Sequence, residues 1–376
     1  MTNMTATSVS LTNTTDAPDG SGSENFDKHA KLRQSLNTMS IIVYCLAFVL
    51  GVLGNGVVIW VTGFKMKKTV NTVWFLNLAV ADFLFTAFLP LTVTYTATGF
   101  HWPFGKFMCK LNTNMSFLNI FASVYILVVI SVDRYVSVVW PIWAQNHRNV
   151  RKASCVSLGV WVLASILCVP NIISRTTLQI PGTDIIICFD SVAFSVDAKT
   201  PSLSVIQLRE FRNQATTITC LLLGFVVPFT VIVSCYAVII HRLRRNHTLA
   251  SQSSHTFKII AAIIITFFLC WAPFHIMSLI ELVNNMSNYT SETLDHIITI
   301  GVPIATSLAF LNSCLNPVLY VFMGKDFKDK VRKSILNVLE TAFQEDETHS
   351  HTFTKSEESN NRKEKSAHRG TSMSMT

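Results

Sequence analysis

The chain has 376 residues, half of them hydrophobic by the broad count and only 14% charged, with a formal net charge of +8. A soluble domain carries about 25% charged residues, so this composition excludes an ordinary soluble protein and points to the membrane. The basic excess sits beside apolar segments and reads as a topology signal, with no nucleic acid partner expected.

Residues 1–38 are polar, rich in Ser, Thr and Asn, and lack the apolar core of a cleavable signal peptide. They read as a disordered extracellular head, and the first apolar run is expected to direct insertion itself. Seven long apolar runs follow, at about 39–64, 73–95, 112–140, 153–174, 215–241, 257–283 and 297–322. Each exceeds the roughly 20 helical residues needed to cross a hydrocarbon core. An odd number of spans puts the two ends on opposite sides.

Lys65, Lys67 and Lys68 follow the first run, Arg148, Arg151 and Lys152 the third, and Arg242, Arg244 and Arg245 the fifth, so these loops face the cytoplasm. Sequons at Asn3, Asn13, Asn285 and Asn288 all fall on the opposite side, which agrees with an external amino terminus and marks those four as glycosylation candidates. The sequons at Asn114, within a run, and Asn246, on the cytoplasmic side, read as accidents.

Polar side chains recur at membrane depth: Asn55 in the first run, Asp82 in the second, Asn119 and Ser123 one helical turn apart in the third, and Asn312, Ser313 and Asn316 in the seventh. Ionisable groups there are costly and are functional candidates by default. Together these residues describe a chamber with one formal negative charge and many oxygen and amide partners, suited to water and a small hard cation; interhelical hydrogen bonding alone is the equal alternative. Pro317 leaves a backbone carbonyl that such partners can use.

Most of the nine cysteines lie within runs. Cys109, at the outer start of the third, and Cys188, in the long loop after the fourth, both face the oxidising side, and a disulfide between them is expected. At the inner end of the third run, SVDRYV places Asp133, Arg134 and Tyr135 at the aqueous boundary, within reach of Tyr236 and Tyr320. In the sixth, CWAPF sets Pro273 two residues after Trp271, a kink beside a large ring.

GNGVV, LNLAVAD, WPFG, Cys109, DRYVSVVWP, Trp161, Cys188, FFLCWAPF and NSCLNPVLY occur in order, one set per helix, and the chain over about 40–334 resembles the rhodopsin-like G protein-coupled receptors. Within them it is similar to the peptide chemoattractant branch, most closely the chemerin receptors and next the formyl peptide receptors. KMKKTVNTVWFLNLAVADFLF, VWPIWAQNHRNVR, TFKIIAAIIITFFLCWAPFHIMSLIELV and GVPIATSLAFLNSCLNPVLYVFMGKDF carry that likeness. The expected fold is an all-α membrane protein: a seven-helix bundle over 39–323, an amphipathic eighth helix on the inner face over 324–340, and a disordered Ser/Thr-rich cytoplasmic tail over 341–376. An extracellular β-hairpin is expected in the loop after the fourth helix, from its Ile-rich TLQIP and TDIIICF stretches.

The resemblance implies residue roles. Asp133 holds Arg134 at rest, and Arg134 meets the G protein when the sixth helix moves. Tyr135, Tyr236, Pro273, Pro317 and Tyr320 take part in that change, and Trp271 is the aromatic switch. Asp82, Asn119, Ser123, Asn312, Ser313 and Asn316 hold a sodium ion as an allosteric modulator, with no other cofactor. Ligand contacts are expected at Arg175, Glu281, Phe117, Asn114 and Trp271, with Arg175 and Glu281 equally readable as solvated rim charges.

The acidic and basic residues that formyl peptide receptors use are replaced by Phe117, Thr216 and Cys220, which demotes that reading. The implied partners are a chemerin-like peptide or protein, an inhibitory G protein, and arrestin with receptor kinases at the tail. A transporter would show internal repeats, a channel rings of like charge, and an enzyme more than the lone His275 of the sixth run. An atypical receptor that internalises ligand without G protein coupling is the remaining alternative.

Overall fold

The structure, a computed structural model, describes residues 20–190, 203–245, 247–286 and 292–321. In chain order the elements are α1 (Gly20–Trp60), a π-helical turn (Val61–Lys65), α2 (Val70–Ala97), α3 (Gly105–Val139), the short α4 (Pro141–His147), α5 (Val150–Ser174), β1 (Arg175–Gln179) and β2 (Ile186–Asp190). Then come α6 (Leu203–Leu221), a second π-helical turn (Leu222–Val226), α7 (Val227–Arg245), α8 (His247–Met286) and α9 (Glu292–Val321). Among the described residues seven helical stretches are long and apolar enough to cross a membrane, the fifth formed by α6 and α7 with the π turn between them.

The spanning helices start earlier than their apolar runs, α1, α6 and α8 by the widest margins. α1 is already helical at Gly20, α6 at Leu203 and α8 at His247. Apolarity marks where a helix enters lipid, whereas backbone hydrogen bonding within the segment continues the helix into water. The boundary read at residue 39 is therefore not the start of the helix.

The cytoplasmic ends are set by capping. Thr69 caps α2: its hydroxyl accepts from the Thr72 amide at 3.2 Å while the Thr72 hydroxyl accepts from the Thr69 amide at 2.8 Å. Asn149 caps α5 by accepting from the Lys152 amide at 2.8 Å, and Pro141 opens α4 where a missing N–H costs nothing.

Large apolar side chains such as Leu158, Ile166 and Leu269 face outward, as expected where the surroundings are lipid. Inside, Tyr44 and Ala47 of α1, Phe85 and Leu89 of α2, and Phe310 and Cys314 of α9 form one buried cluster. The Phe310 ring lies 4.8 Å from Tyr44 and 4.9 Å from Phe85. Trp161 on α5 donates to Asn77 on α2 at 2.9 Å, fixing the fourth span to the second.

β1 and β2 pair antiparallel, with Arg175 opposite Asp190 and Gln179 opposite Ile186. Gly182 in the connecting turn has φ +80°, the left-handed region that glycine enters without cost. The Cys109–Cys188 disulfide ties β2 to the outer end of α3, and Thr177 is the residue paired with Cys188 across the hairpin. Two hydrogen bonds fasten the same edge: Trp102 N–H to the Ile186 carbonyl at 2.7 Å, and the Ile186 N–H to His101 Nδ1 at 3.1 Å.

Candidate functional site

The polar residues picked out at membrane depth converge. Asp82 is fully buried and accepts from Asn119 Nδ2 at 2.9 Å on one oxygen and from Asn316 Nδ2 at 2.7 Å on the other. Asn119 in turn accepts from the Ser313 hydroxyl at 3.3 Å and lies 3.5 Å from Ser123 Oγ. Three spans thus meet at one carboxylate, and among the described residues no cationic side chain pairs with it.

Asn312 is fully buried, and neither its Nδ2 nor its Oδ1 has a hydrogen-bond partner among the described residues; Asn55 Oδ1 and Asn316 Oδ1 share that condition. A buried polar atom without a partner costs about 1–3 kcal/mol, so the chamber fits water or an oxygen-liganded cation. The donor set is also right for sodium: hard oxygens from a carboxylate, two hydroxyls and amide carbonyls.

Proline explains one further contact. Pro317 has no N–H, so the Ser313 carbonyl lacks its helical donor, and Asn55 Nδ2 supplies one from α1 at 2.9 Å. Gly54 permits the approach, because a Cβ there would stand 2.9 Å from Pro317 Cβ.

Above this layer Trp271 is buried by packing alone. Its ring lies 5.7 Å edge-on from Phe274 and 6.1 Å from Phe267, and its Nε1 has no hydrogen-bond partner among the described residues. Phe225 of the π turn packs on Phe268 at 5.3 Å and on His275 at 5.0 Å. In the π register the donor for the Leu223 carbonyl would be residue 228, a proline without an N–H, and the Tyr125 hydroxyl of α3 donates to that carbonyl at 3.1 Å instead. Pro228 follows in the next turn, so the fifth span is irregular where it meets the third and sixth.

At the cytoplasmic end Arg134 donates through Nη2 to Asp133 Oδ2 at 3.0 Å and to Asn71 Oδ1. Arg148, at the end of α4, makes a two-point contact with the same carboxylate, Nε to Oδ1 at 2.7 Å and Nη2 to Oδ2 at 3.0 Å, and also donates to Asn71 Oδ1 at 2.5 Å. Sequence reasoning missed Asn71 and Arg148. Arg148 looked like one of several topology-setting loop charges, and Asn71 is one polar residue in the first turn of α2. Tyr135 lies edge-on to Trp140 at 5.6 Å, and the Tyr236 hydroxyl on α7 is buried without a partner among the described residues.

At the outer end, Phe117 on α3 is buried and Asn114, one turn above it, is half-buried with its Oδ1 unpartnered among the described residues. Arg175 opens β1 and is only 6% exposed. Glu281 near the outer end of α8 is half-buried, as are Thr216 and Cys220 in the fifth span. Asn3, Asn13 and Asn288, the helix read over 324–340 and the tail over 341–376 lie outside the described residues, as do the side chains of Asn285 and Tyr320.

Comparison with known proteins agrees with this geometry. The model of the seven-transmembrane receptor (rhodopsin family) matches residues 54–320. The chain is similar to chemerin-like receptor 1 of Sus scrofa, 43% identical over 332 residues and covering 86% of this chain and 88% of that one. It is 41% identical over 307 residues to chemerin-like receptor 2 of Rattus norvegicus, covering 82% of each. It is also 41% identical over 324 residues to the C3a anaphylatoxin chemotactic receptor of Danio rerio, covering 86% of this chain and 82% of that one.

Proposed function

The chain belongs to the rhodopsin family of seven-transmembrane receptors, and within it to the chemerin-like receptors, and on that premise we propose that it is a receptor for an extracellular chemerin-like peptide or small protein, signalling through an inhibitory G protein. Membership makes it a multi-pass plasma-membrane protein whose signalling partners are G proteins and arrestins. The observation that carries the ligand reading is the outer surface. A hairpin is tied to α3 by Cys109–Cys188, and a buried Arg175 stands at its base. A guanidinium has the planar fork geometry that matches a carboxylate, such as the end of a peptide.

In this reading Arg175 takes the ligand's carboxylate, Glu281 meets an amine or amide, and Asn114, Phe117 and Trp271 line the floor. Ligand contact with Trp271 biases a ring held only by packing. The Asp82 chamber below it would hold a sodium ion through Asp82, Asn119, Ser123, Asn312, Ser313 and Asn316, and the ion supplies the counter-charge that the buried carboxylate lacks. Asp133 keeps Arg134 at rest, and Tyr236, Pro273, Pro317 and Tyr320 accompany its release toward the G protein. Phosphorylated Ser and Thr of the tail recruit arrestin, and Asn3, Asn13, Asn285 and Asn288 carry glycans.

A cell assay of cAMP tests the proposal, with the carboxy-terminal peptide of chemerin beside C3a and a formylated peptide. A fall in cAMP with the chemerin peptide that Arg134→Ala abolishes is the expected result. Uptake of ligand with no cAMP change in the wild type would instead indicate the internalising receptor. Response to C3a alone would move the ligand to the anaphylatoxin class, the reading that the Danio rerio relative favours.

A further inference from the structure

Asp133 is shared by two cations of unequal hold. Arg134 keeps one hydrogen bond to it at 3.0 Å, while Arg148 takes both oxygens, at 2.7 and 3.0 Å. Arg134 is also under-satisfied, since its Nε is buried without a hydrogen-bond partner among the described residues. Arg148 is rigidly mounted: its own N–H closes α4 on the Ala144 carbonyl at 2.9 Å, and the next residue, Asn149, caps α5. The Asp133 side chain is only 11% exposed, against 30% for Arg148. A carboxylate that enclosed cannot lose its partner without a large penalty.

We infer that Arg148 is a positioning residue that keeps Asp133 and Asn71 paired when Arg134 leaves them, and so lowers the cost of the active state. This rests on the reading above that Arg134 is the group released toward the G protein. Without Arg148, departure of Arg134 strands a nearly buried carboxylate, and the receptor is held at rest. With it, the carboxylate and the Asn71 carbonyl oxygen each retain a donor throughout. The consequence is opposite to that of an additional resting-state lock. Loss of Arg148 makes activation harder, whereas loss of a lock makes it easier.

The test uses the full chain in lipid nanodiscs with a purified inhibitory G protein, reading nucleotide exchange per ligand-binding site, with and without the chemerin carboxy-terminal peptide. Arg148→Ala lowers both basal and stimulated exchange, the latter about tenfold, and Arg148→Lys recovers part of it as a point charge without the fork. In an Asp133→Asn background, where no charge is stranded, Arg148→Ala has little further effect. A merely structural role would not be suppressed in that way. A rise in basal exchange for Arg148→Ala would overturn the inference by making Arg148 a lock. An equal loss in both backgrounds would overturn it by placing Arg148 against the G protein. Arg134→Ala, run in parallel, separates the premise: if it keeps full exchange, the release reading fails whatever Arg148 does.

Discussion

Asn55 of α1 donates its side-chain amide to the Ser313 carbonyl of α9 at 2.9 Å, and that carbonyl is the one Pro317 leaves without a helical donor. A proline inside a membrane helix is tolerated only when a neighbour re-satisfies the freed group, and here the neighbour is a specific side chain 258 positions away in sequence. Asn55→Ala should lower the unfolding free energy of the detergent-solubilised receptor by about 1–3 kcal/mol, since it leaves a buried carbonyl bare. Thermal unfolding checks this, and an unchanged midpoint would mean that water replaces the amide.

Gly54 serves the same junction sterically. An added Cβ would stand 2.9 and 3.0 Å from Pro317 ring carbons, which cannot rotate away. Gly54→Ala is expected to separate α1 from α9 and to cost about 1–3 kcal/mol, read as reduced surface expression. Normal expression and ligand affinity would show that the helices shift apart freely.

How much of this was legible in the chain follows from what carries each feature. Runs of apolar residues declare the spans because lipid demands them, and the polar cluster around Asp82 was readable because a carboxylate at that depth must find polar partners, whether as helix glue or as an ion site. Cys109 and Cys188 were readable from the side of the membrane on which they fall. Pro228 marks an irregular fifth span but not the π turn at Leu222–Val226, so the Tyr125 contact with the Leu223 carbonyl was invisible. Arg148 and Asn71 were missed because a charge-count rule treats every loop arginine alike, and only tertiary folding brings residue 148 onto residue 133. The helix starts at Gly20, Leu203 and His247 were missed because apolarity reports lipid contact, not helicity.

Sodium dependence tests the chamber. Replacing sodium chloride by choline chloride should raise the wild-type affinity for the chemerin carboxy-terminal peptide, because an ion that stabilises the resting network opposes the agonist. Asp82→Asn should abolish that difference while the receptor still binds ligand. An affinity that responds to sodium equally in both proteins would place the ion elsewhere.

The outer disulfide closes a separation of 79 residues and, by the chain-entropy account, contributes about 4.5 kcal/mol of stability. Mild reduction of intact cells is expected to cut peptide binding sharply. Cys109→Ser and Cys188→Ser should each match the reduced wild type, and the pair together should be no worse than either. Greater loss in the double variant would indicate that the two cysteines act separately.

Arg175 carries the ligand-recognition claim. Arg175→Ala should weaken binding of a carboxylate-terminated peptide by roughly 10- to 100-fold, the loss of a charged hydrogen bond. The same peptide with an amidated end should bind both proteins alike. Equal losses for the acid and the amide would remove Arg175 from carboxylate recognition.

The central claim is that an extracellular chemerin-like ligand drives G protein activation through this bundle. The most direct measurement is nucleotide exchange on a purified inhibitory G protein by the receptor in nanodiscs, titrated with the chemerin carboxy-terminal peptide. A saturable acceleration that is absent in Arg134→Ala is the predicted result. A correctly folded, ligand-saturated receptor that leaves the exchange rate at its basal value would contradict it.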